Sequence, residues 1–270
     1  MEDMKKIRAL VIGAHPDDCE FTTGGLAVLL SELGHDVKFV SLTNGETGHF
    51  QKSREELAAI RKSEMESACK IANVECEVFD MPSNSIEADI ITREKVICLI
   101  RNYMPDVIFT HRTNDYHPDH RRTAILVQDS SYAIRVPLVC PDTPCLRYSP
   151  VIMHMYDNFA KPYKFIPDVV VNIDKVIRKK AEMLDCHVSQ MYEWDPWIEG
   201  YEAPKDAEER LEWLFSRQSK RDSVVADKYR EQLLLKYGQT GRDIKFAEAF
   251  EISEYGRKPT EEDLKLLFPV

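Results

Sequence analysis

Up to about residue 190, short branched apolar runs alternate with longer stretches of helical spacing. Ile7–Gly13 (IRALVIG) is continuously apolar after its arginine and predicts a buried strand. Gly24–Leu33 predicts a helix that stops at Gly34. Val37–Leu42 predicts the second strand, ending in the turn-like Thr43-Asn44-Gly45. Across Arg54–Ala72 the apolar residues Leu57, Ile60, Met65, Ala68 and Ile71 recur at roughly helical intervals. Cys76–Phe79 reads as a short strand, and Thr92–Tyr103 as a helix with Val96, Ile97 and Ile100 inward, broken at Met104-Pro105-Asp106. Val107–His111 (VIFTH) predicts a fourth strand, and Arg121–Tyr132 a helix that ends before the Pro-rich stretch Pro137–Pro150. Val151–Tyr156 and Val169–Ile173 predict two more strands, and Asp174 is expected to cap a helix from Lys175 to Met191. Beyond Trp194 the character changes. Leu211–Ser216 and Val224–Tyr237 predict amphipathic helices, Phe246–Ile252 a last strand, and Pro196–Pro204 a surface loop.

Strands alternating with helices imply right-handed crossovers. The expected fold is therefore α/β, a Rossmann-like and mainly parallel sheet flanked by helices, with a helical C-terminal extension. No Gly/Ser linker interrupts the chain, so a single domain over residues 1–270 is expected, with a core at about 6–191 and an extension at about 192–270. In such sheets ligands sit outside the carboxyl ends of the strands, where strand order reverses.

Composition narrows the partners. At 43% hydrophobic and 30% charged, the 270-residue chain can bury a large core and stay soluble. A formal charge of −10 argues against a dedicated nucleic-acid binder, which needs a basic surface. The apolar runs are too short for membrane insertion, and no run of signal-peptide length opens the chain. The seven cysteines are scattered and form no C-x-x-C, so free thiols in a reducing, cytoplasmic setting are expected.

Two segments carry chemistry. The first strand runs into Ala14-His15-Pro16-Asp17-Asp18, and the fourth into His111-Arg112-Thr113-Asn114-Asp115-Tyr116-His117-Pro118-Asp119-His120. Strands one and four flank the reversal in the commonest doubly wound orders, so the two loops are expected to converge. Either motif alone also reads as a Pro-set turn with Asp capping the next helix. Together they suit a metal site. Imidazole nitrogens and carboxylate oxygens suit Zn²⁺, with Fe²⁺ compatible with the same donors. His15-x-x-Asp18 and His117-x-x-His120 supply three ligands with a carboxylate and an imidazole left over for proton transfer. No G-x-G-x-x-G follows the first strand, no Walker motif occurs, and no G-x-S-x-G elbow is present. Cys19 reads as a buried thiol at a helix start rather than a nucleophile. Gly24-Gly25 reads as close packing of a helix on the sheet.

The ordered set of segments resembles the LmbE-like, or PIG-L, zinc-dependent N-deacetylases. The segments are AHPDD with GG soon after, LTNGETG, AAIRKSEMESACKIANV, HPDH, VVVNIDKVIRKKAEMLDCHVSQ and the closing FAEAFEI. The resemblance implies that His15, Asp18 and His120 hold zinc. It implies that Asp17 is the general base, that His117 steadies the oxyanion or protonates the amine, and that the Asp119 carboxylate orients His117. Arg61 and Gln190 are implied near the substrate. The implied reaction removes acetyl from an N-acetylated, GlcNAc-type sugar or conjugate, and the resemblance also admits a homo-oligomer. Cys19 stands where the commonest family pattern has Glu, which leaves Glu20 without an assigned role. The competing readings are a metal-dependent hydrolase of another amide or ester, and a non-catalytic α/β ligand-binding module. Loops at 45–52 and 140–163 are expected to set specificity.

Overall fold

The computed structural model describes residues 6–268. Its strands are β1 (Arg8–Gly13), β2 (Asp36–Ser41), β3 (Glu75–Val78), β4 (Val107–Thr110), β5 (Val151–Met155), β6 (Val169–Asn172) and β7 (Ala247–Gly256). Its helices are α1 (Asp18–Glu32), α2 (Arg54–Ala72), α3 (Ile90–Tyr103), α4 (Pro118–Ala133), α5 (Ile177–Asp185), α6 (Asp195–Glu199), α7 (Ala207–Lys228), α8 (Arg230–Tyr237) and α9 (Glu261–Leu267). The strands form one sheet in the order β3-β2-β1-β4-β5-β7-β6. β1 pairs in parallel with β2 on one side and β4 on the other, and β5 continues in parallel from β4. The chain reverses direction across the sheet at β1/β4, the place expected for a ligand.

Strand period sorts the core. Ala9 and Val11 pack on one face with Leu26, Met65, Ala68 and Ile177, whereas Leu10 and Ile12 pack on the other with Val96, Ile97, Leu126 and Val127. α1, α2 and α5 thus cover one side of the sheet and α3 and α4 the other. Gly25 permits close contact on the first side. A Cβ there would stand 2.7 Å from Ile173 Cγ2.

Several elements depart from their expected bounds. α1 begins at Asp18, six residues before Gly24, and α4 begins at Pro118, so both metal-type motifs feed directly into helix starts. Asp174 does not cap α5. The N-cap is Val176, without a side-chain bond, and the Asp174 carboxylate accepts from the backbone N–H of Phe246 at 2.7 Å. The expected 175–191 helix ends at Asp185 and resumes as a wider, π-type turn over Ser189–Trp194. The expected 196–204 loop begins inside α6, and α9, with a Thr260/Asp263 capping box, was not anticipated. The last strand does not add at an edge. β7 runs antiparallel between β5 and β6, so the C-terminal segment lies inside the sheet.

Candidate active site

A cleft of about 690 Å³ opens beyond the carboxyl ends of β1 and β4. Its floor is built by the turn after β1. Asp18 Oδ2 accepts from the backbone N–H groups of Ala14 at 2.9 Å and His15 at 2.7 Å, folding the turn onto the carboxylate. Burial opposes ionisation of Asp18, but His120 and His111 outweigh it and hold the carboxyl well below its usual range. Asp17 takes the N-cap position of α1 with φ of 132°, in the region that disfavours side chains. Burial and then the Asp18 charge push Asp17 up to about 7, against the opposing pull of Arg61.

Two imidazole nitrogens and both oxygens of one carboxylate converge from the two loops. His15 Nδ1 lies 3.5 Å from Asp18 Oδ2, His120 Nε2 lies 3.3 Å from His15 Nδ1, and His120 Nε2 lies 3.3 Å from Asp18 Oδ1. A tetrahedral ion with ligand bonds of about 2.1 Å separates its donors by about 3.4 Å, so each of these pairwise spacings matches two donors on one small divalent cation. The far nitrogens point the same way. His15 Nε2 faces Asp119 Oδ2 at 3.1 Å, and His120 Nδ1 faces Asp115 Oδ2 at 3.1 Å. A carboxylate behind each imidazole fixes its tautomer and presents the near nitrogen as a donor. Those carboxylates also make both rings basic. Burial works against protonation, yet His15 rises to about 9 through Asp119 and Asp18, and His120 to about 10 through Asp18 and Asp115. The arrangement attracts positive charge, and the donors fit a metal. His117 lies near His15 and His120, and His111 near Asp18 and His120, with ligand-type atoms within 4.8 Å in each group.

His117 is the N-cap of α4. Its Nδ1 accepts from the backbone N–H of Asp119 at 3.2 Å, which leaves Nε2 free for the cleft. Burial and the neighbouring His15 and His120 push His117 down to about 4. The expectation that the Asp119 carboxylate orients His117 is corrected. That carboxylate faces His15 and accepts from the N–H groups of Asn84 at 2.6 Å and Ile86 at 3.2 Å. The His117 ring is held through the Asp119 backbone N–H, and the His117 backbone N–H donates to Asp115 Oδ1 at 2.8 Å.

Arg61, on α2, is buried beside Asp17 with Nη1 3.6 Å from Oδ2, and its Nη2 donates to the Gly48 carbonyl at 3.1 Å. Gln190 lines the cleft, with its amide donating to Asp195 at 2.6 Å. His187 is buried with its Nε2 3.3 Å from Glu20 Oε1. Cys19 is buried and its thiol donates to the Val11 and Val40 carbonyls. The 45–52 loop is tied to the π-type turn. Glu193 receives His49 Nε2 at 2.8 Å and Lys52 Nζ at 2.7 Å, and the Phe50 and Trp197 rings stack at 5.0 Å.

Sequence reasoning gave no role to His111, whose Nε2 lies 3.2 Å from Asp18, or to Asp115. Both belong to the second loop. The signal for Asp115 was a carboxylate at the start of a turn that returns to a ligand histidine.

Residues 10–130 match the model of the PIG-L family, described as GlcNAc-PI de-N-acetylase. The fold agrees. N,N'-diacetylchitobiose deacetylase from Pyrococcus horikoshii superposes with a TM-score of 0.71 at 24% identity, covering 96% of this chain and 89% of that one. Over residues 10–130 the chain is similar to the PIG-L/LmbE-like family. Among curated relatives of this protein, the diacetylchitobiose deacetylase of Thermococcus kodakarensis is 27% identical over 73% of this chain and 76% of its own length. The 4-oxalmesaconate hydratase of Pseudomonas putida is 25% identical over 69% of this chain and 75% of its own length. The relatives thus include both deacetylases and a hydratase. Among the described residues, no helix is long and apolar enough to cross a membrane.

Proposed function

We propose that this protein is a metal-dependent N-deacetylase that hydrolyses the acetamide of a small N-acetylated sugar, of GlcNAc type, to acetate and a free amine. The observation that carries the reading is the meeting of His15 Nδ1, the Asp18 carboxylate and His120 Nε2, with His15 Nδ1 3.5 Å from Asp18 Oδ2, His120 Nε2 3.3 Å from Asp18 Oδ1 and the two nitrogens 3.3 Å apart, and with the Asp17 carboxylate in the same turn. His15, Asp18 and His120 would hold the ion, zinc by donor preference and Fe²⁺ as the alternative. When bound, the cation supplies Lewis acidity to the acetyl carbonyl and to the attacking water.

The remaining chemistry belongs to the chain. Asp17 takes a proton from the water as its oxygen attacks the amide carbon. His117 keeps Nδ1 on its cap bond, so in the neutral ring Nε2 carries the proton and donates it as a hydrogen bond to the developing oxyanion. The C–N bond then breaks, and protonated Asp17 returns its proton to the leaving amine. Arg61 fixes the Asp17 carboxylate from behind. Asp119 and Asp115 orient His15 and His120.

The hydratase relative supports a second reading, in which the same groups add water across a carbon–carbon double bond. One assay separates them. Zinc-loaded protein is offered N-acetylated sugars, including N,N'-diacetylchitobiose, and separately an unsaturated oxo-acid. Release of free amine supports the deacetylase. Loss of enoate absorbance without amine release overturns it.

A further inference from the structure

We propose that Arg221, brought by α7 to the cleft, binds a carboxylate on the substrate, so that the cleft selects an N-acetylated amino sugar carrying one negative charge. The sugar part of this statement rests on the deacetylase reading above.

Three guanidinium groups line the cleft. Arg61 faces Asp17 at 3.6 Å. Arg112 holds Asp157 with two arms, Nε to Oδ2 at 2.6 Å and Nη2 to Oδ1 at 2.5 Å. Arg221 differs. Its guanidinium carbon stands 5.6 Å over the Phe21 ring, and among the described residues no carboxylate pairs with it. An arginine at a cleft wall with one face on an aromatic ring keeps its fork of N–H donors for a planar anion.

The placement of Arg221 is not left to a mobile side chain on a loose helix. The next residue, Asp222, is buried and receives Lys180 Nζ at 2.8 Å. The same Nζ lies 2.8 Å from Glu248 on β7, and Glu248 accepts from the backbone N–H groups of Gly25 and Leu26 on α1 at 2.8 Å each. This chain of buried charges ties α7 to α1, the helix that begins with Asp18 and carries Phe21. Arg221 is therefore registered against the helix that supplies the candidate metal ligand.

Charge balance selects the kind of anion. The carboxylates of Asp17, Asp18, Asp115 and Asp157 also line the cleft. Asp17 and Asp157 are already matched by Arg61 and Arg112, so among the described residues Arg221 is the cleft guanidinium left to meet a ligand anion, and one guanidinium matches one negative charge. A carboxylate brings a single charge and the planar geometry that the guanidinium fork matches.

The test uses a matched pair: a GlcNAc glycoside whose aglycone ends in a carboxylate, and its carboxamide counterpart. Zinc-loaded wild-type protein is assayed for amine release from both, and calorimetry measures binding of the two deacetylated products, which needs no turnover. We expect kcat/KM and product affinity to favour the acid by about tenfold or more. Arg221→Gln should reduce that preference to within about twofold, and Arg221→Lys should restore part of it. Equal handling of acid and amide by the wild type, in rate and in binding, overturns the assignment. So does an acid preference that survives Arg221→Gln. Equal amine release from both removes Arg221 and leaves the deacetylase reading standing. An Arg221-dependent binding preference without any amine release does the reverse.

Discussion

The Arg61 guanidinium stands 3.6 Å from the Asp17 carboxylate with one arm, and with the other donates to the Gly48 carbonyl at 3.1 Å. One buried side chain on α2 therefore braces both the turn after β1 and the loop after β2. Replacing Arg61 with Met leaves Asp17 without its cation and frees the 45–52 loop. Breaking a buried pair costs about 3 kcal/mol. Urea unfolding should report a loss near that size, and kcat/KM should fall by at least about tenfold through misplacement of Asp17. An unfolding midpoint equal to wild type would show that Arg61 does not brace the turn.

Asp17 holds φ at 132°, a conformation that costs of order 1–3 kcal/mol for a residue with a side chain. Such strain at a cleft residue is consistent with a function that outweighs it. Asn tolerates positive φ better and carries no charge into this buried position. Asp17→Asn relieves backbone strain but leaves the buried Arg61 without its counter-charge, and amine release should fall about 10²-fold or more with zinc content unchanged. Near-normal turnover in this variant would remove Asp17 from proton transfer.

Much of this site is readable without coordinates because both chemical loops follow directly from buried strands. IRALVIG and VIFT each fill a central position of a parallel sheet, and their ends lie side by side at β1/β4. The position of β7 is not readable in the same way. FAEAFEI has the pattern of a strand, but its partners β5 and β6 lie some eighty to a hundred residues earlier, and local pattern carries no pairing information across that distance. Asp174 misled for a related reason. Its local preference is to cap α5, and the backbone of Lys245 and Phe246 on the incoming chain captured it instead. Arg221 was invisible because nothing local separates it from the other charges of an exposed helix.

The carboxylates behind the two histidines should matter to metal affinity more than to folding. Asp115 faces His120, and Asp119 faces His15, each at 3.1 Å. Loss of such a partner weakens metal binding by about 10–100-fold. Asp115→Asn and Asp119→Asn should each show that loss in a chelator competition, and His120→Ala should lose stoichiometric metal by elemental analysis. A fully metallated His120→Ala protein would remove His120 from the ligand set.

His35 links the entry to β1 with pH. Its Nδ1 accepts from the Ile7 backbone N–H at 3.3 Å, a bond that protonation of that nitrogen abolishes. Burial lowers its pKa below 6.5 in the folded chain, against the opposing charge of Asp36. The folded state therefore takes up this proton less readily than the unfolded state. Stability from this group is complete above pH 6.5 and declines as pH falls below that value toward the lowered one. Urea midpoints at pH 8 and pH 5.5 should fall further apart in wild type than in His35→Leu. Equal spacing in the two proteins would exclude His35 as a contributor.

Outside the cleft, Lys180 is the buried cation that, among the described residues, bridges two buried carboxylates. It is 2% exposed and reaches both Asp222 and Glu248 at 2.8 Å. Lys180→Met keeps most of the volume but strands two buried acids, a change worth about 3–5 kcal/mol. The double variant Lys180→Met/Asp222→Leu removes one stranded charge and should recover part of that loss, as coupled buried pairs do in mutant cycles. Because Glu248 also receives two N–H groups of α1, the single variant should loosen the packing of α7 on α1 before the sheet unfolds. Amide hydrogen exchange should then speed up in α7 and the middle of α1, with β1 and β4 still protected. Uniform protection across those elements would mean that the Lys180 pair does not hold the C-terminal helix in place.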